Sequence, residues 1–144
     1  MPTIREALST KPSEVWRVAP GATVYQALVL MAERDIGALP VVEESRMIGI
    51  FSERDYARNL ILKGKSSKDT PVRDLMSSPV LYVRPEQTID DCMALMTEKH
   101  VRHLPVLEGD ELIGMISIGD VVRRIISEQD YTIELLENYI KGLV

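Results

Sequence analysis

The sequence predicts an α/β (α+β) fold made of two copies of one strand-helix-strand-strand-helix unit, related by a pseudo-twofold axis, with the two sheets packed together and the helices outside. Three observations predict it. An ungapped shift of 65 residues lays 15–59 over 80–124. The shift brings back Val18 as Val83, Pro20 as Pro85, Thr23 as Thr88, Leu39-Pro40-Val41 as Leu104-Pro105-Val106, Gly49 as Gly114, Ser52 as Ser117 and Asp55 as Asp120. Apolar spacing switches between helical and strand periods at matching places in both copies. A polar stretch of turn formers, 64–71, lies between them. The period exceeds that of common open arrays, so a closed pair enclosing two related clefts is expected.

Each element follows from local chemistry. Ile4-Arg5-Glu6-Ala7-Leu8-Ser9 reappears, offset by 68, as Val72-Arg73-Asp74-Leu75-Met76-Ser77, so each copy is expected to have a short lead-in helix. A first strand, 15–18 or 80–83, ends ahead of Pro20 or Pro85. Thr23 and Thr88 are then N-caps. They open amphipathic helices that turn Val24, Ala27, Leu28 and Met31, or Ile89, Cys92, Met93 and Met96, to one face. Hairpins follow, with strands 38–42 and 47–51 in the first copy and 104–107 and 112–116 in the second. The closing helices bury Tyr56, Ala57, Leu60 and Ile61, or Val121, Val122, Ile125 and Ile126. Beyond them, Ile133, Leu136 and Ile140 mark a further amphipathic helix for packing or dimerisation. The expected division is 1–65 for the first repeat with its lead-in helix, 66–127 for linker, lead-in helix and second repeat, and 128–144 for the C-terminal helix.

Composition removes several function classes. The 144 residues suffice to bury roughly 68–70% of the unfolded surface without metal or disulfide. A net charge of −5, with no dense Lys/Arg block, disfavours a nucleic-acid partner. The single cysteine, Cys92, excludes an internal disulfide and a cysteine-type zinc site. The absence of an apolar run of about 18 residues and of a secretory leader points away from a membrane and toward a cytoplasmic protein. His100 and His103 lack a third ligand at metal-binding spacing. Lys63-Gly64-Lys65-Ser66-Ser67 lacks the first glycine and the preceding strand of a phosphate loop. Cys92 matches Ala27 on the inward helix face and is not a nucleophile. No catalytic residue or metal site is expected, and the chain is not expected to be an enzyme.

The segments 36–42 with 48–55, and 101–106 with 113–120, carry Leu-Pro-Val, a Gly-bearing strand and Ser-x-x-Asp in the same order twice. In this they resemble a pair of CBS domains, the module named after cystathionine β-synthase, over nearly the whole chain. The resemblance implies a Bateman module, stand-alone here. In it AMP, ADP, ATP or NAD(H), with S-adenosylmethionine a further candidate, binds between the copies as a regulatory ligand and reports energy or redox state to an unidentified effector protein. It also implies a homodimer. The alternative is a dimeric interaction scaffold without a physiological ligand.

Ser52-Glu53-Arg54-Asp55 and Ser117-Ile118-Gly119-Asp120 stand at strand-to-helix junctions. Ser52 and Ser117 are candidates for phosphate, because a hydroxyl donor there adds to the unpaired N–H groups of a helix start. Asp55 and Asp120 are candidates for the ribose hydroxyls, since an ionised carboxylate accepts two hydrogen bonds. Gly119 would permit close approach of a ligand. The competing reading is two capping boxes. The resemblance further assigns phosphate contacts to Arg102 and His103, whose equivalents in the first copy are Gly37 and Ala38, so the clefts are expected to be unequal. Arg54, Arg58 and Arg123 are additional phosphate candidates. For the adenine slot the resemblance implies Val15, Trp16, Val18, Ile36, Ala38 and Pro40 on one side, and Val80, Tyr82, Val83, Val101, Pro105, Ile118 and Gly119 on the other.

Overall fold

The computed structural model describes residues 2–11 and 15–140. Helix α1 (Ile4–Leu8) leads into the first copy, which has helix α2 (Val24–Arg34), strands β1 (Ala38–Glu43) and β2 (Arg46–Ser52), and helix α3 (Glu53–Tyr56) continuing as a π-helical turn, Ala57–Ile61. A 3-10 turn (Val72–Asp74) precedes the second copy, with α4 (Ile89–Lys99), β3 (His103–Glu108), β4 (Glu111–Ser117) and α5 (Ile118–Ile140). Thr23 and Thr88 cap their helices through reciprocal side-chain and backbone bonds with Gln26 and Asp91. Both helices end in a left-handed residue, Asp35 at φ 51° and His100 at φ 55°. Each hairpin forms a two-stranded antiparallel sheet, with Leu39 opposite Phe51 and Leu104 opposite Ile116.

The expected first strands are reduced to a single parallel bridge each, Val18 with Val41 and Val83 with Val106. Proline explains the limit. Val18 donates its N–H to Pro40 O at 3.1 Å and accepts from Val42 N at 2.9 Å. One step further along the ladder would need an N–H from Pro20, and one step back an N–H from Pro40; neither exists. Pro85 and Pro105 impose the same limit on the second copy.

Two hydrophobic cores form, and the lead-in segments cross between them. Val24, Ala27, Met31, Leu39, Val41, Phe51 and Leu60 cluster with Val72 and Leu75, whereas Val83, Ile89, Cys92, Met96, Leu104, Val106 and Ile116 cluster with Ile4 and Ala7. Main-chain bonds hold the exchange: Ile4 N donates to Gln87 O at 2.8 Å, and Val72 N to Ala22 O at 2.8 Å. Two glycines make the room. A Cβ on Gly49 would lie 2.5 Å from Met76 Sδ, and one on Gly114 would lie 2.9 Å from the Leu8 methyls. Leu8 and Met76 are 68 residues apart, so the offset read from the lead-in sequences is also a spatial equivalence. Cys92 is fully buried, and burial, with the charge of Asp120 adding, pushes its thiol up to about 11. It is a packing residue, as its repeat equivalence to Ala27 predicts.

The expected break between a closing helix and a separate C-terminal helix is not there. Helix α5 runs unbroken from Ile118 to Ile140, because Arg123 to Glu128 contains no glycine or proline to stop it. The end of the expected helix, 141–144, lies outside the described residues. No helix among those residues is long and apolar enough to cross a membrane.

Candidate ligand-binding site

Both Ser-x-x-Asp elements are capping boxes. Asp55 N donates to Ser52 Oγ at 3.2 Å and Ser52 N donates to Asp55 Oδ2 at 2.9 Å; Asp120 N and Ser117 N repeat the pattern at 3.1 and 2.8 Å. The cap does not use up the first carboxylate. Among the described residues Asp55 Oδ1 accepts only from Ser77 Oγ, at 3.3 Å, and Asp55 lines a cleft of about 1170 Å³ between the copies.

The walls of this cleft come from both copies. Gly37, Ser52, Arg54, Asp55 and Arg58 form one side; Lys99, His100, Val101, Arg102 and His103 form the other; Ser77, Pro79 and Leu81 of the connecting segment close an edge. Arg54 Nη1 donates to His100 O at 2.6 Å, satisfying the carbonyl at the C-terminal end of α4 and joining the copies. The His103 ring nests against Gly37, where a Cβ would stand 3.2 Å from it. Burial lowers the His103 pKa from its usual value, the nearby Lys11 and Arg102 charges lower it further, and Asp120 only partly opposes them. These surroundings favour the neutral His103 ring, and Arg102, exposed at the same edge, supplies the charge. With Arg54, Arg58, Lys99 and Arg102 set against Glu53 and Asp55, the cleft is cationic in an acidic protein. That arrangement suits an anionic ligand carrying vicinal hydroxyls.

The second cleft is smaller, about 420 Å³, and is lined by Asp120, Arg123, Arg124 and Glu128 with Ala7 and Thr10. Both Asp120 oxygens are taken, Oδ2 by Lys11 Nζ at 2.8 Å and Oδ1 by Arg123 Nη2 at 2.7 Å. Burial works to raise this carboxyl, but the hydrogen bonds from Lys11 and Ser117 outweigh it and hold the group below its usual value. Arg123 also folds over Gly119, its Nη1 standing 3.3 Å from where a Cβ would be.

The expected adenine slots are largely elsewhere. Of their residues only Val101 lines the large cleft. Val83 and Ala38 are buried in the interior with Pro40 and Pro105. Val18 and Ile36 pack on the first core, and Ile118 packs on the second. Val15 and Val80 line neither cleft. Trp16 packs against the first core with the Arg34 guanidinium 3.9 Å from its ring centre, and Tyr82 is exposed beside Arg84 at 5.0 Å; neither ring faces a cleft. The reason is the proline-limited bridge, which ties the first strands to the core hairpins instead of extending them along the cleft. Sequence reading missed Ser77, Pro79, Leu81 and Lys99. The first two could have been found by continuing the 68-residue alignment past the lead-in helices.

The CBS domain family model matches residues 4–62 and 72–127. The chain belongs to the CBS-domain family. It carries two CBS domains, and their fold is the mixed helix-and-strand pair expected from the repeat. The mitochondrial CBS domain-containing protein CBSX3 of Arabidopsis thaliana is 42% identical over 125 residues, covering 83% of this chain and 61% of that relative's length. The chain therefore spans under two thirds of the plant protein. A solved CBS-domain protein from Burkholderia ambifaria MC40-6 is 49% identical, with a TM-score of 0.85, covering 88% of this chain and 96% of that one. A CBS domain pair solved in complex with 5′-methylthioadenosine and S-adenosyl-L-methionine shares the fold at 19% identity and a TM-score of 0.77, covering 88% of this chain and 97% of that one.

Proposed function

We propose that this CBS pair is a regulatory module that binds an adenine nucleotide in the larger cleft and passes energy or redox status to a partner protein. The observation that carries the reading is the meeting, across one cleft, of Asp55 from the first copy with Arg102 from the second. Asp55 suits the ribose hydroxyls, while Arg102, Arg54 and the Ser52 hydroxyl suit phosphate oxygens. Four cations around the cleft favour a ligand with more than one phosphate, such as ADP, ATP or NAD(H). The solved pair with adenosyl ligands supports room for adenosine in this fold. A ligand contacting both copies would favour one arrangement of the pair by its differential affinity, typically about 1–3 kcal/mol. The proposed role is regulation without turnover, in a cytoplasm-like aqueous compartment.

Isothermal calorimetry with AMP, ADP, ATP, NADH and S-adenosylmethionine tests the reading. At least one nucleotide is expected to bind. Arg102→Ala should weaken it about tenfold, the low end for a charge-assisted hydrogen bond, because the side chain is exposed. Absence of heat with all five would favour the scaffold without ligand.

The proposal includes a homodimer through α5. Val122 and Ile126, expected to be buried, instead join Ile133, Leu136 and Ile140, spaced by three, four or seven residues, in a stripe 42–82% exposed on one face. The helix carries Arg123 and Arg124 near its start and Glu128, Asp130, Glu134 and Glu137 further on, so an antiparallel second copy places opposite charges together. Ile133→Glu puts a charge in that stripe and should halve the mass measured by light scattering. An unchanged dimer would reject this face.

A further inference from the structure

We infer that Lys11 fills the ribose position of the second cleft, so that the pair holds one nucleotide per chain and not two; the inference rests on the nucleotide reading above. Three observations carry it. First, Asp120, Arg123 and Arg124 of the smaller cleft are the repeat equivalents of Asp55, Arg58 and Asn59 of the larger, and the lead-in segments crossing to the opposite copy keep the 68-residue equivalence: Leu8 covers Gly114 as Met76 covers Gly49. Continued three residues further, the equivalence sets Lys11 against Asp120, an acid of the second cleft, where Pro79 stands at the edge of the first. Proline leaves the space beside Asp55 open. Lysine reaches to Asp120 and closes the equivalent space.

Second, the ammonium makes the contacts that hydroxyl donors on a ribose would make. Lys11 Nζ donates to Asp120 Oδ2 and to Met115 O, each at 2.8 Å. Met115 is the repeat equivalent of Ile50, whose carbonyl is instead bonded by Ser77 N at 2.8 Å in the first copy. A backbone bond thus leaves Asp55 facing open space in one cleft, and a side chain caps the acid in the other. Third, the space differs accordingly, about 420 Å³ against about 1170 Å³. Arg123 holds the remaining Asp120 oxygen, but its side chain is 72% exposed and can turn toward solvent or a phosphate, whereas that of Lys11 is 35% exposed and anchored at two points.

The test uses the full chain, with ADP and ATP as probes, and counts bound nucleotides by calorimetry and native mass spectrometry. Wild type is expected to take one per chain, Lys11→Ala two, and Lys11→Arg one, with circular dichroism unchanged throughout. Two nucleotides on wild type, or one on a folded Lys11→Ala, would overturn the inference. A readout independent of nucleotide accompanies it: the Asp120 carboxyl carbon followed by NMR over a pH titration. Its midpoint should move upward in Lys11→Ala. A midpoint that stays put would overturn the contact itself. If neither protein binds a nucleotide while the midpoint moves, the nucleotide reading fails and the Lys11–Asp120 contact stands.

Discussion

Replacing Asp55 by alanine is expected to weaken nucleotide binding about a hundredfold, whereas Asp120→Ala should change affinity by no more than about threefold. The two residues hold equivalent positions of the repeat and cap their helices in the same way, so the contrast isolates their surroundings. Asp55 presents Oδ1 to the larger cleft. Losing two hydrogen bonds to a charged acceptor there removes about 3 kcal/mol, a little over two factors of ten. Asp120 already spends both oxygens on Lys11 and Arg123, leaving none for a ligand. Each substitution also removes a helix cap worth about 1 kcal/mol, and Asp120→Ala in addition leaves Lys11 without its carboxylate, so thermal unfolding should report the larger loss for Asp120→Ala. Calorimetry on the matched pair decides the matter, and equal losses of affinity would mean that both aspartates serve ligands.

The largest stability effect is expected at Phe51. Its ring is fully buried, faces Leu39 across the hairpin and adjoins Ser52, the first cap residue of the cleft. Phe51→Ala should cost about 3–5 kcal/mol, from lost transfer energy and the cavity left in a close-packed core. A typical domain has only about 5–15 kcal/mol in total, so the variant should be marginal at room temperature. Urea unfolding should show a midpoint about 2 M lower with an unchanged slope. One transition is expected, because Ile4 and Ala7 are packed in the second core and Val72 and Leu75 in the first, which ties each core to the lead-in segment of the other copy. A loss under about 1 kcal/mol would show that the surrounding side chains collapse onto the site.

The helices and hairpins were legible because they depend on neighbours in sequence. The Thr caps, the inward stripe of Val24, Ala27 and Met31, and the hairpins all appear at their expected places. Arg102 and His103, expected to make the clefts unequal, line the larger cleft together with Gly37, their counterpart from the first copy. The adenine slot was not legible. Apolar residues such as Val83 and Pro105 look alike whether they wall a cleft or fill a core, and only burial separates the two. Trp16 and Tyr82 were ambiguous for the same reason, since a ring that could stack on a base can equally stack under Arg34 or Arg84.

By itself the sequence determined the duplication, the helices and hairpins of each copy and the family, because period and propensity are local properties of the chain. Only the tertiary structure decided that the lead-in segments cross between copies, and that Asp55 faces open space while Lys11 closes on Asp120. These depend on contacts between residues far apart in sequence, such as Ile4 with Gln87 and Lys11 with Asp120, where short-range periodicity carries no information and close packing selects the partner.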